Sequence, residues 1–135
     1  MKTFQLRIVA IRRNYYRGPC ESLVFTTTDG LVGVLADHEP TVYAVTAGEL
    51  RYTVDGKSEL LAVGEGFARV VGNKVDILVD FAERADEIDA IRAEDAKARA
   101  EAALRGNRSD QSMAMAEAAL GRAIARLKVA KKARI

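Results

Sequence analysis

The sequence holds few of the residues that most often carry out chemistry in proteins. Its 135 residues include one cysteine, Cys20, one histidine, His38, and no tryptophan. A single cysteine excludes an internal disulfide and is typical of a reducing compartment, and one thiol with one imidazole falls short of a structural zinc site. There is no P-loop, no G-x-G-x-x-G motif and no set of residues for nucleophilic catalysis. We therefore do not expect an enzyme or a bound metal, and we interpret both residues as structural.

Long apolar runs and an excess of charge of one sign are also missing. No run approaches the ~20 apolar residues of a membrane span, and the N-terminus lacks the apolar stretch of a secretory signal. The 21 basic and 19 acidic residues leave a net charge of +2, which gives no electrostatic reason to expect nucleic acid. The composition therefore favours a globular protein without a membrane span.

The composition changes sharply along the chain. All eight aromatic residues, both prolines and eight of the ten glycines lie in the first 81 residues, whereas residues 85–135 contain 16 alanines and no aromatic residue. Aromatic residues favour strands, and alanine favours helices. The sequence therefore predicts a β domain over residues 1–84 and a helical domain over residues 85–135.

Short alternating segments fill the first domain. Apolar and polar residues alternate over residues 4–8, 50–54 and 75–79, as in strands with one buried face. Turn signals follow at Asp55-Gly56 and Gly72-Asn73. Strands this short, with turns this frequent, predict an antiparallel sandwich or a flattened barrel, and they leave no room for the crossover helices of a parallel sheet.

The second domain has the pattern of two helices joined by a short loop. The predicted helices cover residues 87–104 and 112–133. Asp86 is the predicted N-cap of the first, with Asp89 at the third position of a capping box, and Ser109 or Asp110 is the cap of the second. The two helices are expected to pack as an antiparallel hairpin.

Each predicted helix has a stripe suited to packing. The stripe of the first helix consists of small residues with one leucine: Ala93, Ala96, Ala100, Ala103 and Leu104. The stripe of the second helix is more apolar: Met113, Ala116, Leu120, Ile124 and Leu127. Such side chains contribute ~1.5–3 kcal/mol each at most, against ~1–2 kcal/mol of backbone entropy per residue. We therefore expect the helical domain to dock only conditionally and to change its shape or partner in response to a signal.

The C-terminal end is strongly basic. Residues 122–135 contain six basic residues and no acidic residue, and Arg122 and Arg126 share one helix face. Two guanidinium groups side by side suit a polyphosphate or a cluster of carboxylates. The alternative is a plain solvated face, since both arginines lie opposite the apolar stripe. Asp89 and Arg92 likewise allow two interpretations, a ligand site or a weak surface ion pair.

Several segments, in this order and spacing, resemble the epsilon subunits of F-type ATP synthases. The resemblance covers almost the whole chain, and the segments that carry it are residues 30–40 (GLVGVLADHEP), 48–51 (GELR), 66–70 (GFARV), 75–80 (VDILVD), 82–84 (AER) and 88–93 (IDAIRA). Ala36 and Glu39 depart from the family, which usually has Pro and Ala there, so the shape of that loop is expected to differ.

The resemblance implies a ten-stranded β-sandwich followed by a two-helix arm, with no catalysis by the subunit itself. It implies that the sandwich grips the gamma subunit of the rotor and rests on the ring of c subunits. It implies an arm that either folds onto the sandwich or extends toward the catalytic alpha and beta subunits, where it restrains ATP hydrolysis. In some bacterial members ATP, as a regulatory ligand and not a required cofactor, holds the arm folded. The implied location is peripheral, at the cytoplasmic face of the bacterial plasma membrane.

The resemblance also assigns candidate sites. The motif I/L-D-x-x-R-A and its partners imply an ATP site formed by Glu83, Ile88, Asp89, Arg92, Ala93, Arg122 and Arg126. The contacts implied with the c-ring or gamma are Asp29, Gly30, Leu31 and His38. The alternative function is a stand-alone nucleotide-sensing module, which needs no stalk partner.

Overall fold

The computed structural model describes residues 2–106 and 109–132. Within them the chain forms ten strands, a 3₁₀ turn and two helices. The strands are β1 (Phe4–Ala10), β2 (Arg13–Cys20), β3 (Ser22–Thr27), β4 (Gly30–Leu35), β5 (Thr41–Val45), β6 (Gly48–Val54), β7 (Lys57–Val63), β8 (Gly66–Val71), β9 (Lys74–Val79) and β10 (Ala82–Arg84). The 3₁₀ turn covers Ala85–Glu87, and the helices are α1 (Ala90–Gly106) and α2 (Asp110–Lys132).

The ten strands form two five-stranded sheets that face each other as a sandwich. Their orders are β2-β1-β9-β8-β5 and β10-β7-β6-β3-β4. The predicted class, a β-sandwich followed by two helices, is confirmed. The expectation of purely antiparallel pairing is wrong at one place, because β1 pairs with β9 in parallel. These strands are joined through the rest of the sandwich and not by a hairpin, so chain connectivity does not force them to run in opposite directions.

Alternation along the strands creates the core between the sheets. Every second residue of β1 is buried, and the same holds in β9 and in β6 as far as Tyr52. The β6–β7 hairpin turns at Asp55 and Gly56, whose φ angles are 51° and 76°. Positive φ at both central residues is the geometry of a type I′ turn, which an Asp-Gly pair accepts at low cost. The predicted turn at these two residues is therefore confirmed.

The first helix begins later than predicted. Asp89, and not Asp86, is the N-cap of α1: its Oδ1 accepts a hydrogen bond from the Arg92 backbone N–H at 3.1 Å. The reason is that the preceding 3₁₀ turn already uses Glu87, which accepts the Arg84 backbone N–H at 2.9 Å. The helix also continues past residue 104 to Gly106.

The second helix begins at Asp110, two residues before the predicted start. Of the two candidate caps, Ser109 is the one used, since its Oγ accepts the Ser112 backbone N–H at 3.1 Å. The predicted end at Ala133 lies outside the described residues.

The helical arm packs on the outer face of one sheet. Helix α2 lies across β6 and β7, and α1 packs along α2. The predicted apolar stripe of α2 is wrong in part: Ile124 is 36% exposed, and the buried residues of the helix are Ala116, Ala123, Ala125, Val129 and Ala130. On α1, Ala93 and Ala100 are buried but Ala103 is exposed. Small side chains occupy the buried positions of both helices because they let each helix approach its neighbours closely.

Candidate functional site

A cleft opens where the arm meets the sandwich. It has a volume of about 260 Å³ and is lined by Glu83, Glu87, Asp89, Arg92, Ala93, Ala96, Arg99 and Arg126. Five of the seven residues proposed from the sequence for an ATP site are therefore brought together here. The other two, Ile88 and Arg122, are half-buried and do not line the cleft.

The first turns of α1 form one wall of the cleft. Asp89 fixes the start of the helix through its cap. The alternative of a surface ion pair between its carboxylate and the Arg92 side chain is not found among the ion pairs of the described residues. Arg92 and Arg99 are seven residues apart, two helical turns, and therefore project from the same face. Ala93 and Ala96 lie between them and leave space for a ligand.

Arg126 of α2 forms the opposite wall. Its Nε donates to a carboxylate oxygen of Glu83 on β10, and its guanidinium carbon lies 4.0 Å from the centre of the Phe81 ring. Both members of the ion pair are 30% exposed. The alternative of a plain solvated face is therefore wrong for Arg126, which is held between the arm and the sandwich.

Glu87 is a cleft residue that sequence reasoning missed. Its carboxylate accepts hydrogen bonds from the Arg84 N–H at 2.9 Å, the Tyr15 hydroxyl at 2.9 Å and Arg13 Nη2 at 2.6 Å. The backbone hydrogen bond from Arg84 is the main reason that its pKa falls to about 2; burial opposes the change, and Arg13 and Tyr15 add to it. The pKa of Tyr15 is raised, first by burial and then by its bond to Glu87.

Arg99 is the second cleft residue that sequence reasoning missed, although its spacing of seven residues from Arg92 was a usable signal.

The three carboxylates of the cleft are all engaged: Glu83 by Arg126, Glu87 by the donors just described, and Asp89 by the start of α1. In residues 2–106 and 109–132, the guanidinium groups of Arg92 and Arg99 have no carboxylate partner. The cleft therefore has two free cationic groups and can bind an anion.

A larger cleft adjoins the first on the other side of the Arg126–Glu83 pair. It has a volume of about 620 Å³, and its lining includes Ile11, Arg12 and Phe81. The two clefts share Glu83, Glu87 and Arg126. Together they offer an extended site, in the size range of pockets that hold small molecules.

The residues proposed for ring or stalk contacts fall into two groups at opposite ends of β4. Asp29 is in the turn before it, and Gly30 and Leu31 begin the strand; Gly30 has a φ of 114°, and Leu31 is 63% exposed. His38 lies in the loop after it, with Nδ1 2.8 Å from the Glu39 carbonyl oxygen and Nε2 3.4 Å from the Tyr43 hydroxyl. These contacts agree with a structural role for His38 in its loop.

Two further searches concern metals and membranes. Over residues 2–106 and 109–132, no group of three or more His, Cys, Asp or Glu side chains is placed to hold a metal ion. In the same part of the chain, neither helix has the length and hydropathy needed to cross a membrane. Cys20 is buried, and its thiol donates to the Ser22 carbonyl oxygen at 3.0 Å.

Comparison with known proteins identifies the family. Residues 3–85 match the family described as ATP synthase, Delta/Epsilon chain, beta-sandwich domain, and residues 86–131 match its long alpha-helix domain. The chain belongs to the ATP synthase delta/epsilon family. The resemblance seen in the sequence is thereby confirmed, and members of this family are non-catalytic subunits of ATP synthase.

Relatives in the delta/epsilon family match over almost their whole length. The ATP synthase epsilon chain of Ruminiclostridium cellulolyticum is 42% identical, over 99% of this chain and 100% of the relative. That of Herpetosiphon aurantiacus is 44% identical, over 94% and 93%. A chain in the structure of Euglena gracilis mitochondrial ATP synthase, OSCP/F1/c-ring, matches with a TM-score of 0.80 and 25% identity, over 98% of this chain and 82% of that one.

Proposed function

We propose that the chain is the epsilon subunit of an F-type ATP synthase rotor and that ATP bound in the cleft holds its arm on the sandwich. In this role, residues 1–84 bind the gamma subunit and the c-ring, and residues 85–135 regulate. The arm, when extended, meets the alpha and beta subunits of the catalytic head and restrains hydrolysis. Full-length matches to epsilon chains support the subunit assignment, and the Euglena match comes from an assembly of F1 with a c-ring.

The location follows from the same assignment. A rotor subunit of a bacterial ATP synthase works at the cytoplasmic face of the plasma membrane, where this chain meets the membrane only through other subunits. Its near-neutral charge gives no sign of a nucleic-acid partner. Recovery of gamma and the catalytic subunits with the tagged protein from a membrane extract is the expected result, and recovery of neither would contradict the assignment.

The observation that supports ATP binding is the charge arrangement of the cleft. Arg92 and Arg99 have no carboxylate partner among the described residues, and Arg126 faces them from the other helix. A triphosphate between these groups would connect α1, α2 and β10 at once. Such a ligand binds the folded arm and not an extended one, so it shifts the equilibrium toward docking.

Calorimetry with MgATP tests the ligand. Wild-type protein is expected to release heat on titration, and Arg92→Ala is expected to weaken binding about tenfold or more, because a charge-assisted contact to phosphate is lost. Arg105→Ala is the matched control, since Arg105 is also on α1 but does not line the cleft. Equal loss in both variants, or no heat from the wild type, would contradict ATP binding in this cleft.

The arm's role in regulation is tested in the assembled enzyme. Removal of the residues after Ala85 is expected to leave assembly intact, because the sandwich makes the proposed contacts with gamma and the c-ring. The rate of ATP hydrolysis is expected to stay unchanged or to rise. Measurement of ATP hydrolysis and synthesis in membranes checks both parts. Loss of assembly would show that the contacts with gamma and the c-ring require the arm.

A further inference from the structure

Helix α2 is fixed to the sandwich by two ion pairs. Arg126 pairs with Glu83 at the cleft, and Lys132 Nζ lies 2.8 and 2.7 Å from the two carboxylate oxygens of Glu49 on β6. Glu49 is 23% exposed, and Lys132 is 47% exposed. The ion pair between Lys132 and Glu49 lies outside the cleft, and the proposed ATP site gives it no role.

The two acids belong to one row across the sheet. Both Glu49 and Glu83 are paired with Ala62 of β7 in the strand register. Because Leu61 and Val63 are in the core between the sheets, Ala62 points to the outer face. It is nevertheless 0% exposed, as expected for a residue covered by α2. Glu49, Ala62 and Glu83 therefore form a row across the outer face of the sheet, where helix α2 docks.

The spacing of the acids matches the spacing of the bases. Strands are about 4.8 Å apart, so two steps place Glu49 and Glu83 roughly 9.6 Å apart along the row. Arg126 and Lys132 are six residues apart, a rise of about 9 Å along the helix. Val129 lies midway between them and is 0% exposed. Helix α2 therefore crosses the strands with both bases opposite both acids.

Packing excludes the other registers that the charges allow. Lys128 and Arg134 have the same spacing, but that shift of two residues would put Lys131 at the position of buried Val129. Arg122 and Lys128 also have this spacing, so a shift of four residues would again place two bases on the two acids. That shift would put Arg126 at the position of Ala130, which is 8% exposed, and would replace buried Val129 by a smaller alanine. Charge and packing together thus select one register.

We propose that Glu49 and Lys132 are positioning residues for the ATP site: their ion pair sets the register of α2 that brings Arg126 to the cleft. The part of this inference that concerns ATP rests on the proposed function, whereas the register itself does not. Neither residue lines the cleft, so any effect on binding would be transmitted by the position of the helix.

A cysteine pair measures the register without ligand. A Cβ built on Gly121 of α2 lies 3.7 Å from the Ala47 Cβ, which is within the range of a disulfide. The variant Ala47→Cys/Gly121→Cys is expected to crosslink readily on mild oxidation. Adding Glu49→Lys, which replaces attraction by repulsion, is expected to slow crosslinking about fivefold, and adding Lys132→Glu as well is expected to restore it.

Matched controls separate register from net charge. Glu59→Lys changes an exposed acid of β7, and Lys131→Glu changes the neighbour of Lys132; both are expected to leave crosslinking unchanged. Lys132→Gln removes the pair at an exposed helix end, so it tests the inference even if Glu49→Lys fails to fold. Equal slowing by the controls, or no recovery in the double charge swap, would overturn the inference.

MgATP titration gives the second readout. Glu49→Lys is expected to raise the dissociation constant about fivefold, and the charge swap is expected to return it to the wild-type value. If the wild type binds no ATP, the proposed ligand is wrong, while the crosslinking pattern still decides whether the pair sets the register. If crosslinking slows but the dissociation constant is unchanged, the positioning role is overturned.

Discussion

The contacts of Glu87 predict a stability that depends on pH. Its pKa is about 2 in the folded protein, against 4.5 for an ordinary glutamate. Because the folded value is the lower one, the stabilisation is complete above about pH 5 and is lost as the pH falls toward 2. The full difference corresponds to at most about 3.4 kcal/mol. The side chain is 27% exposed, so solvent screening reduces our expectation to about 1–2 kcal/mol.

Urea unfolding of Glu87→Gln tests this reasoning. Glutamine keeps an acceptor for the Arg84 N–H but loses the charge that attracts Arg13, so the variant is expected to be about 1–2 kcal/mol less stable at about pH 7. The difference from wild type is expected to shrink steadily as the pH falls from about 5 to about 2. Glu94→Gln, at an exposed acid of α1, is the control. A difference that does not change with pH would refute the lowered pKa of Glu87.

Other predictions follow from the cap, the sheet and the arm. Asp89→Ala is expected to cost about 1 kcal/mol of stability and some helicity by circular dichroism, whereas Asp89→Asn keeps the cap. Gly66→Ala is expected to lower the melting temperature sharply, because its Cβ would overlap the Leu78 carbonyl oxygen of β9, while Gly33→Ala, with open space around it, is expected to be tolerated. Arg126→Ala is expected to speed tryptic cleavage of the arm, since it removes an ion pair and a cation–π contact.

Period-two alternation was sufficient to predict a β domain, as a sandwich or a flattened barrel, because a strand with one buried face leaves that pattern whatever its partners are; the choice of the sandwich came from the family resemblance. The parallel pairing of β1 with β9 could not be read from it, since the alternation is the same in either direction. The first residue of α1 could not be predicted from local sequence alone either. Asp86 and Asp89 are both acceptable caps by local rules, and the choice depends on Glu87, which contacts Arg13 and Tyr15 more than seventy residues away.

The candidate cleft was predicted in part for a related reason. Asp89, Arg92 and Ala93 are close in sequence and fall on one end of one helix, so a local motif places them together. Arg126 was predicted from the basic helix face and from the family pattern, and Glu83 from the family pattern, but their ion pair and the contact of Arg126 with Phe81 depend on how the arm docks. Docking is a tertiary property that no single segment encodes.

The proposed regulation by a small ligand requires that the arm dock only weakly on the sandwich. The buried side chains of α2 are four alanines and one valine, and each buried methyl contributes only about 0.8 kcal/mol. Surface ion pairs add about 0–1 kcal/mol each. A ligand present at a hundred times its dissociation constant stabilises the bound form by about 2.7 kcal/mol. That is comparable with the docking contacts themselves, whereas a large leucine-rich interface would hold the arm in place whether or not ATP was bound.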